Sequence, residues 1–227
     1  MSAAASFRAL NLVLLGPPGS GKGTQAKVLA ARYQVPHIST GDILRDEVRR
    51  STPLGRQVQE IMERGELVPD RLVAGIILAR LDRDDCARGF ILDGYPRTVD
   101  QAAILDDLLA ELGRTLERVI LIEVPDDVIV RRMTGRRSCP RCGRVYHVES
   151  NPPEDGRTCD ACGVELEQRP DDGEEVVRER LRVYREKTEP LVELYRVRGL
   201  LAVVDGDRPV EEVTTAILEA LGSVPAA

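Results

Sequence analysis

No apolar run in this chain approaches the roughly 20 residues that a membrane-crossing helix needs. The start, Met1-Ser2-Ala3-Ala4-Ala5-Ser6, also lacks the basic and long apolar stretches of a secretory signal. A cytoplasmic protein with no membrane partner is therefore expected. Positive charge is in deficit too: 32 Lys and Arg against 38 Asp and Glu give a net charge of −6, which argues against wholesale binding to nucleic acid or anionic lipid. Internal repeats are absent. In a reducing compartment the five cysteines are not expected to build a disulfide framework, so their spacing points to metal or redox chemistry. What remains, 227 residues of which 42% are hydrophobic, suits one sizeable α/β core carrying a small insertion.

Five short apolar runs rich in β-branched residues, at 10–15, 35–38, 90–92, 119–124 and 200–204, read as buried strands. Helical periodicity occupies 25–32, 70–81, 99–112, 126–133 and 210–221. Strand alternating with helix implies a doubly wound, five-stranded parallel sheet with its ligand at the carboxyl ends of the strands. Two stretches break the alternation. Residues 42–81 carry short helical patterns interrupted by Pro53, Gly55, Gly65 and Pro69, which reads as a helical excursion. Residues 137–168 are rich in Cys, Pro, Gly and Asp and read as a compact insertion. The following helix, about 173–197, is expected to kink or restart at Pro190, and the tail 222–227 to fray.

Between the first strand and the first helix lies Gly16-Pro17-Pro18-Gly19-Ser20-Gly21-Lys22-Gly23-Thr24. Its glycines let successive backbone N–H groups turn toward a polyphosphate, the helix N-terminus adds partial positive charge, and Lys22 adds a full one. A generic phosphate loop places Ser or Thr directly after the Lys to hold magnesium. Here Gly23 takes that place and Thr24 follows it.

Cys139-Pro140-Arg141-Cys142 and Cys159-Asp160-Ala161-Cys162 are two Cys-x-x-Cys knuckles, each followed by glycine, at the separation of a zinc ribbon. Four thiolates close a tetrahedral shell, so a structural Zn²⁺ is expected, with Fe²⁺ the chemical alternative. Metal binding would supply the folding energy of so small a unit, and the glycines are expected to let N–H groups turn toward the sulfurs. Cys86 reads as a small apolar filler, His147 as a surface or lid-packing residue, and His37 carries little signal. A nucleic-acid-binding ribbon would be basic with exposed aromatics. This one holds Glu149, Glu154, Asp155, Asp160, Glu165 and Glu167, with Tyr146 its only aromatic.

Three further blocks join the loop: Ser39-Thr40-Gly41-Asp42-Ile43-Leu44-Arg45, Gly94-Tyr95-Pro96-Arg97-Thr98 with Gln101, and Arg169-Pro170-Asp171-Asp172 leading to Arg180. In their order and spacing, and with the cysteine insertion, the chain resembles the long bacterial form of adenylate kinase from end to end. The resemblance implies a P-loop kinase core at 1–38, 69–136 and 169–227, an AMP-binding helical insertion at 39–68 and a zinc-binding lid at 137–168. It implies reversible phosphoryl transfer from ATP to AMP giving two ADP, with Mg²⁺ accompanying ATP, in a monomer. Around AMP it places Thr40, Arg45, Glu66, Leu67, Val68, Gly94, Tyr95, Pro96, Arg97 and Gln101, with Arg97 on the phosphate and Gln101 facing the adenine edge. On ATP it places Gly16, Gly19, Ser20, Gly21, Lys22, Gly23 and Thr24, with Val145, Tyr146 and Arg208 near the nucleotide. Lys22, Arg97, Arg132, Arg136, Arg169 and Arg180 would serve the reacting phosphoryl groups, Arg136 also contacting ATP and Arg169 and Arg180 also contacting AMP. Asp93 would hold magnesium through water. Arg132 and Arg136, four apart, would share a helical face if the helix continues through Gly135. The alternative within the fold is a kinase for UMP or CMP, or one using a GTP donor.

Overall fold

The computed structural model describes residues 10–222; the start 1–6 and all but the first residue of the tail expected to fray lie outside the described residues. In chain order come β1 (Leu10–Leu15), α1 (Lys22–Tyr33), β2 (His37–Ser39), α2 (Thr40–Arg49), α3 (Pro53–Glu63), α4 (Asp70–Leu81), β3 (Gly89–Asp93) and α5 (Val99–Glu111). Then follow β4 (Arg118–Glu123), α6 (Asp126–Thr134), β5 (Arg136–Ser138), β6 (Val145–His147), α7 (Glu174–Val183), α8 (Pro190–Val197), β7 (Leu201–Asp205) and α9 (Val210–Ala220). Among the described residues no helix is long and apolar enough to cross a membrane.

Five strands make one parallel sheet in the order β2-β3-β1-β4-β7. Because successive side chains of a strand point to opposite faces, β1 feeds both layers. Val13 and Leu15 pack with Ile38, Phe90, Leu92 and residues of α4, α5 and α8 on one face. Leu12 and Leu14 pack with Ile91, Ile120, Leu29 of α1 and Ile217 of α9 on the other. Every residue of β1 is buried. A strand covered on both sides reads as a continuous apolar run, which is why it is legible without alternation.

The helical excursion is built by caps. The Ser39 side chain accepts from Asp42 N to start α2, and Thr52 accepts from Gly55 N to start α3, with Pro53 in its first turn. Gly55 is where α2 and α3 meet, and a Cβ there would run into the Glu47 carbonyl. Element ends shift by a residue or two from the sequence reading, and two departures are larger. α1 begins at Lys22, three residues before its apolar periodicity, because Gly21 in the left-handed region (φ 96°) sets the turn into it. The 173–197 helix restarts at Pro190 as expected, but the disturbance precedes the proline: residues Tyr184–Thr188 form a π-helical turn.

Gly55→Ala is expected to destabilise the fold by about 2 kcal/mol through overpacking of backbone against backbone. For a chain of this size that lowers Tm by roughly 4–8 °C. Calorimetry of the variant checks this, and an unchanged Tm would mean that α2 and α3 slide apart freely.

Candidate active site

The glycine loop after β1 closes through its own backbone. Ser20 N donates to Pro17 O (3.2 Å), and Thr24 N and Gln25 N both donate to Gly21 O (3.0 Å). Gly19 adopts φ 78° and packs so closely on α6 that a Cβ would lie 2.7 Å from Met133 Cγ. Lys22 Nζ donates to Gly16 O (2.8 Å) and Pro17 O (2.7 Å), which holds its charge over the loop. Burial pushes its pKa down to about 8; Asp93 opposes the shift, while Arg97, Arg180 and Arg136 add to it.

Asp93 ends β3 beside β1, so its carboxylate emerges at the mouth of the loop. Oδ2 lies 3.2 Å from His37 Nε2. Burial alone would raise the Asp93 pKa, but the His37 hydrogen bond and the Lys22 charge outweigh it and keep the group ionised. A Cβ at Gly23 would come within 3.3 Å of the same oxygen. The missing hydroxyl after Lys22 therefore leaves space beside a fixed carboxylate, which fits a water-clad magnesium held by few protein ligands. His37, uninformative in sequence, belongs to the site. The usable signal was the register that sets His37 two residues before Ser39, the partner of Asp93 across β2 and β3.

Facing the loop across a cleft of about 1150 Å³ stand arginines from several separate segments. The lining carries ten Lys or Arg against three Asp or Glu, in a chain whose net charge is −6. Arg136, the first residue of β5, makes a paired contact with Asp172, whose side chain is fully buried. Arg180 of α7 binds Asp171, and Arg169 lies 4.0 Å from Asp42, which also receives Arg45 (2.6 Å). Burial, with neighbouring arginines, draws the pKa of Arg169 and Arg180 down to about 10 and lowers that of Arg97. Asp171 and Asp172 were visible only as letters of a motif. Their part is to fix two guanidinium planes, a task that a planar fork and a carboxylate perform in pairs.

Arg132 is placed elsewhere. α6 stops at Thr134 with Gly135 as its cap, so Arg132 and Arg136 do not share a helical face. Arg132 instead donates to Gly206 O (3.0 Å) and pairs with Asp207 (3.3 Å) at the rim of the cleft, near Arg208, Pro209 and Val210. Arg208 is exposed and paired with Asp205. Arg132 thus lines the same cleft from its rim, tied to Gly206 and Asp207.

A side pocket opens from the cleft between the helical excursion and the sheet, lined by Thr40, Arg45, Glu66, Leu67, Val68, Gly94, Arg97 and Gln101 among others. Arg97 is held firmly: Gln101 Oε1 accepts from its backbone N (2.7 Å) and its own Nε donates to Gly94 O (2.9 Å). Gln101 Nε2 donates to Asp70 Oδ1 (2.7 Å), so its amide is anchored at both ends. Glu66 lines the pocket, and its carboxylate pairs with Arg64. Tyr95 is buried. It lines neither cavity, being 1% exposed in the core with its hydroxyl donating to Gln101 O. Pro96 does line the cleft.

The cysteine insertion folds around β5 and β6, which pair antiparallel. The four sulfurs of Cys139, Cys142, Cys159 and Cys162 all lie within 4.8 Å of one another. Cys142 and Cys159 Sγ are 3.7 Å apart, matching the edge of about 3.8 Å of a tetrahedron with Zn–S arms of about 2.3 Å. Tyr146 closes the small core, its hydroxyl 3.5 Å from Cys159 Sγ. At the knuckles Gly143 N and Gly163 N donate to the carbonyls of Cys139 and Cys159, while Ala161 and Cys162 N–H groups face the Cys159 sulfur. His147 works at the junction with α6. Its Nε2 donates to Arg131 O (3.2 Å), its Nδ1 accepts from Glu149 N and Ser150 N, and its ring lies over Gly135. Lys27 of α1 reaches Gly143 O (3.0 Å), and Arg49 of α2 reaches Pro140 O, so the insertion rests on both flanking helices.

Fold and site together define an α/β kinase core that binds nucleotides. The family model described as Adenylate kinase matches residues 14–200. An adenylate kinase from Archaeoglobus fulgidus is 52% identical over 217 residues, covering 94% of this chain and all of the relative. One from Moorella thermoacetica is 53% identical over 213 residues, 94% of this chain and 98% of the relative. The chain belongs to the adenylate kinase family.

Two outcomes are expected from this geometry. kcat/KM for ATP should fall as pH rises through about 8, where Lys22 of the free enzyme loses its proton. At saturation kcat should hold to higher pH, because bound polyphosphate restores that proton; coincident profiles for the two parameters would refute the effect. Cys159→Ser should lower Tm clearly while leaving activity measurable in the cold, and metal analysis of the unmodified chain should give one ion per molecule. Absence of stoichiometric metal, with a melting curve indifferent to chelators, would remove the metal from the fold.

Proposed function

We propose that the chain transfers a phosphoryl group reversibly from ATP to AMP, giving two ADP, with magnesium accompanying the donor. The observation that carries this is the meeting of Lys22, Arg97, Arg136, Arg169 and Arg180 from separate segments, between a glycine loop and a side pocket. An oxygen of the AMP phosphate attacks the terminal phosphorus of ATP, and the bond from that phosphorus to its bridging oxygen breaks. Such a reaction asks little of a general base and much of alignment and charge.

Roles follow from position. The phosphate loop from Gly16 to Thr24 takes the donor phosphates, and Lys22 accompanies the migrating charge. Arg97 and Arg45 take the acceptor phosphate, Gln101 and the backbone at 66–68 face the base, and Thr40 lies at the pocket mouth. Arg136, Arg169 and Arg180 stand between the two nucleotides. Arg132 and Arg208, with Val145 and Tyr146 opposite, flank the outer end of the cleft, where the donor base and ribose belong. Asp93 would hold magnesium through water, where the ion would offset charge on the donor phosphates, and the four cysteines would hold a structural Zn²⁺. We read 39–68 as the acceptor unit and 137–168 as a lid over the core, in an enzyme acting as a monomer in the cytoplasm.

The test is ADP formation with and without AMP, repeated with UMP, CMP and GMP. AMP is expected to be the preferred acceptor and hydrolysis without acceptor to be slow, because the cations converge fully only when the lid excludes water. Preference for another monophosphate would overturn the pocket roles. Lys22→Ala should stay folded and lose roughly 10³-fold in rate; a folded variant with near-normal turnover would overturn the loop role.

A further inference from the structure

The π-helical turn Tyr184–Thr188 is a local irregularity with a consequence for Arg97. Thr134, Thr214 and Thr215, in regular helices, each donate the side-chain hydroxyl to the carbonyl four residues earlier, at 2.9, 2.8 and 2.9 Å. That is the ordinary resting place of a helical threonine. Thr188 does otherwise. Its Oγ1 donates to Arg97 O (2.9 Å), on a loop 91 positions earlier in the chain.

The π turn, closed by Glu189 N donating to Tyr184 O (2.9 Å), makes this possible by changing the direction of Thr188. Along an α-helix each four-residue step drifts about 40° around the axis, so from Arg180 to residue 184 and on to 188 a regular helix would carry the third side chain off the face of the first. A turn closed i to i+5 is wider and takes back most of that drift. Arg180, Tyr184 and Thr188 accordingly all line the same cleft, and Thr188 is only 6% exposed.

We propose that the π turn exists to aim Thr188, and that Thr188 is a positioning residue for Arg97, completing a grip that otherwise comes from Gln101 and Gly94. The inference rests on the reading of Arg97 as the cation of the acceptor phosphate. It couples the α7 to α8 connection to the acceptor side of the reaction, although Thr188 touches neither reacting group.

The test uses the intact enzyme in steady-state assays with each substrate varied in turn. Thr188→Val keeps the shape and removes the donor; it should lower kcat/KM for AMP roughly 3- to 10-fold, the worth of one hydrogen bond, while KM for ATP stays within about twofold. Thr188→Ser restores the hydroxyl and should recover most of the loss. Equal effects on both substrates, or a serine variant no better than valine, would reduce Thr188 to packing and overturn the proposal. Arg97→Ala separates the two readings. If it impairs AMP use while Thr188→Val does not, the Thr188 inference alone fails; if it leaves AMP use untouched, the acceptor role of Arg97 fails and the proposal with it.

Discussion

Like charges held together out of water are the constraint around which this molecule is organised. Burial, and then the positive charge of neighbouring groups, lowers the pKa values of Lys22, Arg97, Arg169 and Arg180, with Arg136 and Arg45 among the neighbours. Such an assembly persists only if the fold fixes each member. Asp171 and Asp172 hold two guanidinium groups, the loop carbonyls hold Lys22, and Arg97 is gripped through its backbone. Anionic ligands supply the remaining compensation. Binding energy and catalysis thus draw on the same charges, which are strongest where water is excluded.

The insertion carries Arg136 into that cluster and lines the cleft with Val145 and Tyr146. Its own apolar content is small, centred on Tyr146 and the cysteines, and four sulfurs at tetrahedral spacing stand in for a larger core. The junction at Gly135 is built for contact: α6 ends there, the His147 ring lies over the glycine, and that ring ties the Arg131 carbonyl to the turn at 149–150. A helix end, the cysteine-bearing hairpin and the Arg136 side chain are thereby fixed within a few residues.

The sheet was legible because strands buried on both faces are written as unbroken apolar runs, and the loop because glycines and a lysine at fixed spacing have a mechanical reason. Residues whose part depends on which strands lie side by side were not. His37 acquires meaning only from the β2 to β3 register, and Asp171 and Asp172 only from the arginines that fold onto them. The surroundings of Arg132 and Tyr95 were not legible for a common reason: a motif records neighbours in sequence, whereas the helix end at Gly135 and the direction of Tyr95 into the core are settled by packing. The π turn has no sequence period to announce it. Proline marked the helix restart but not the widened turn before it.

The most direct measurement is the melting temperature of the intact enzyme alone and with adenosine, AMP, ATP, or two adenosines joined by five phosphates, at low and high salt. If relief of cationic crowding governs the site, the pentaphosphate-linked compound raises Tm more than ATP or AMP at equal concentration. In that case adenosine does little, and the increments shrink as salt rises. Adenosine stabilising the fold as well as the linked compound does, with no dependence on salt, would contradict the account.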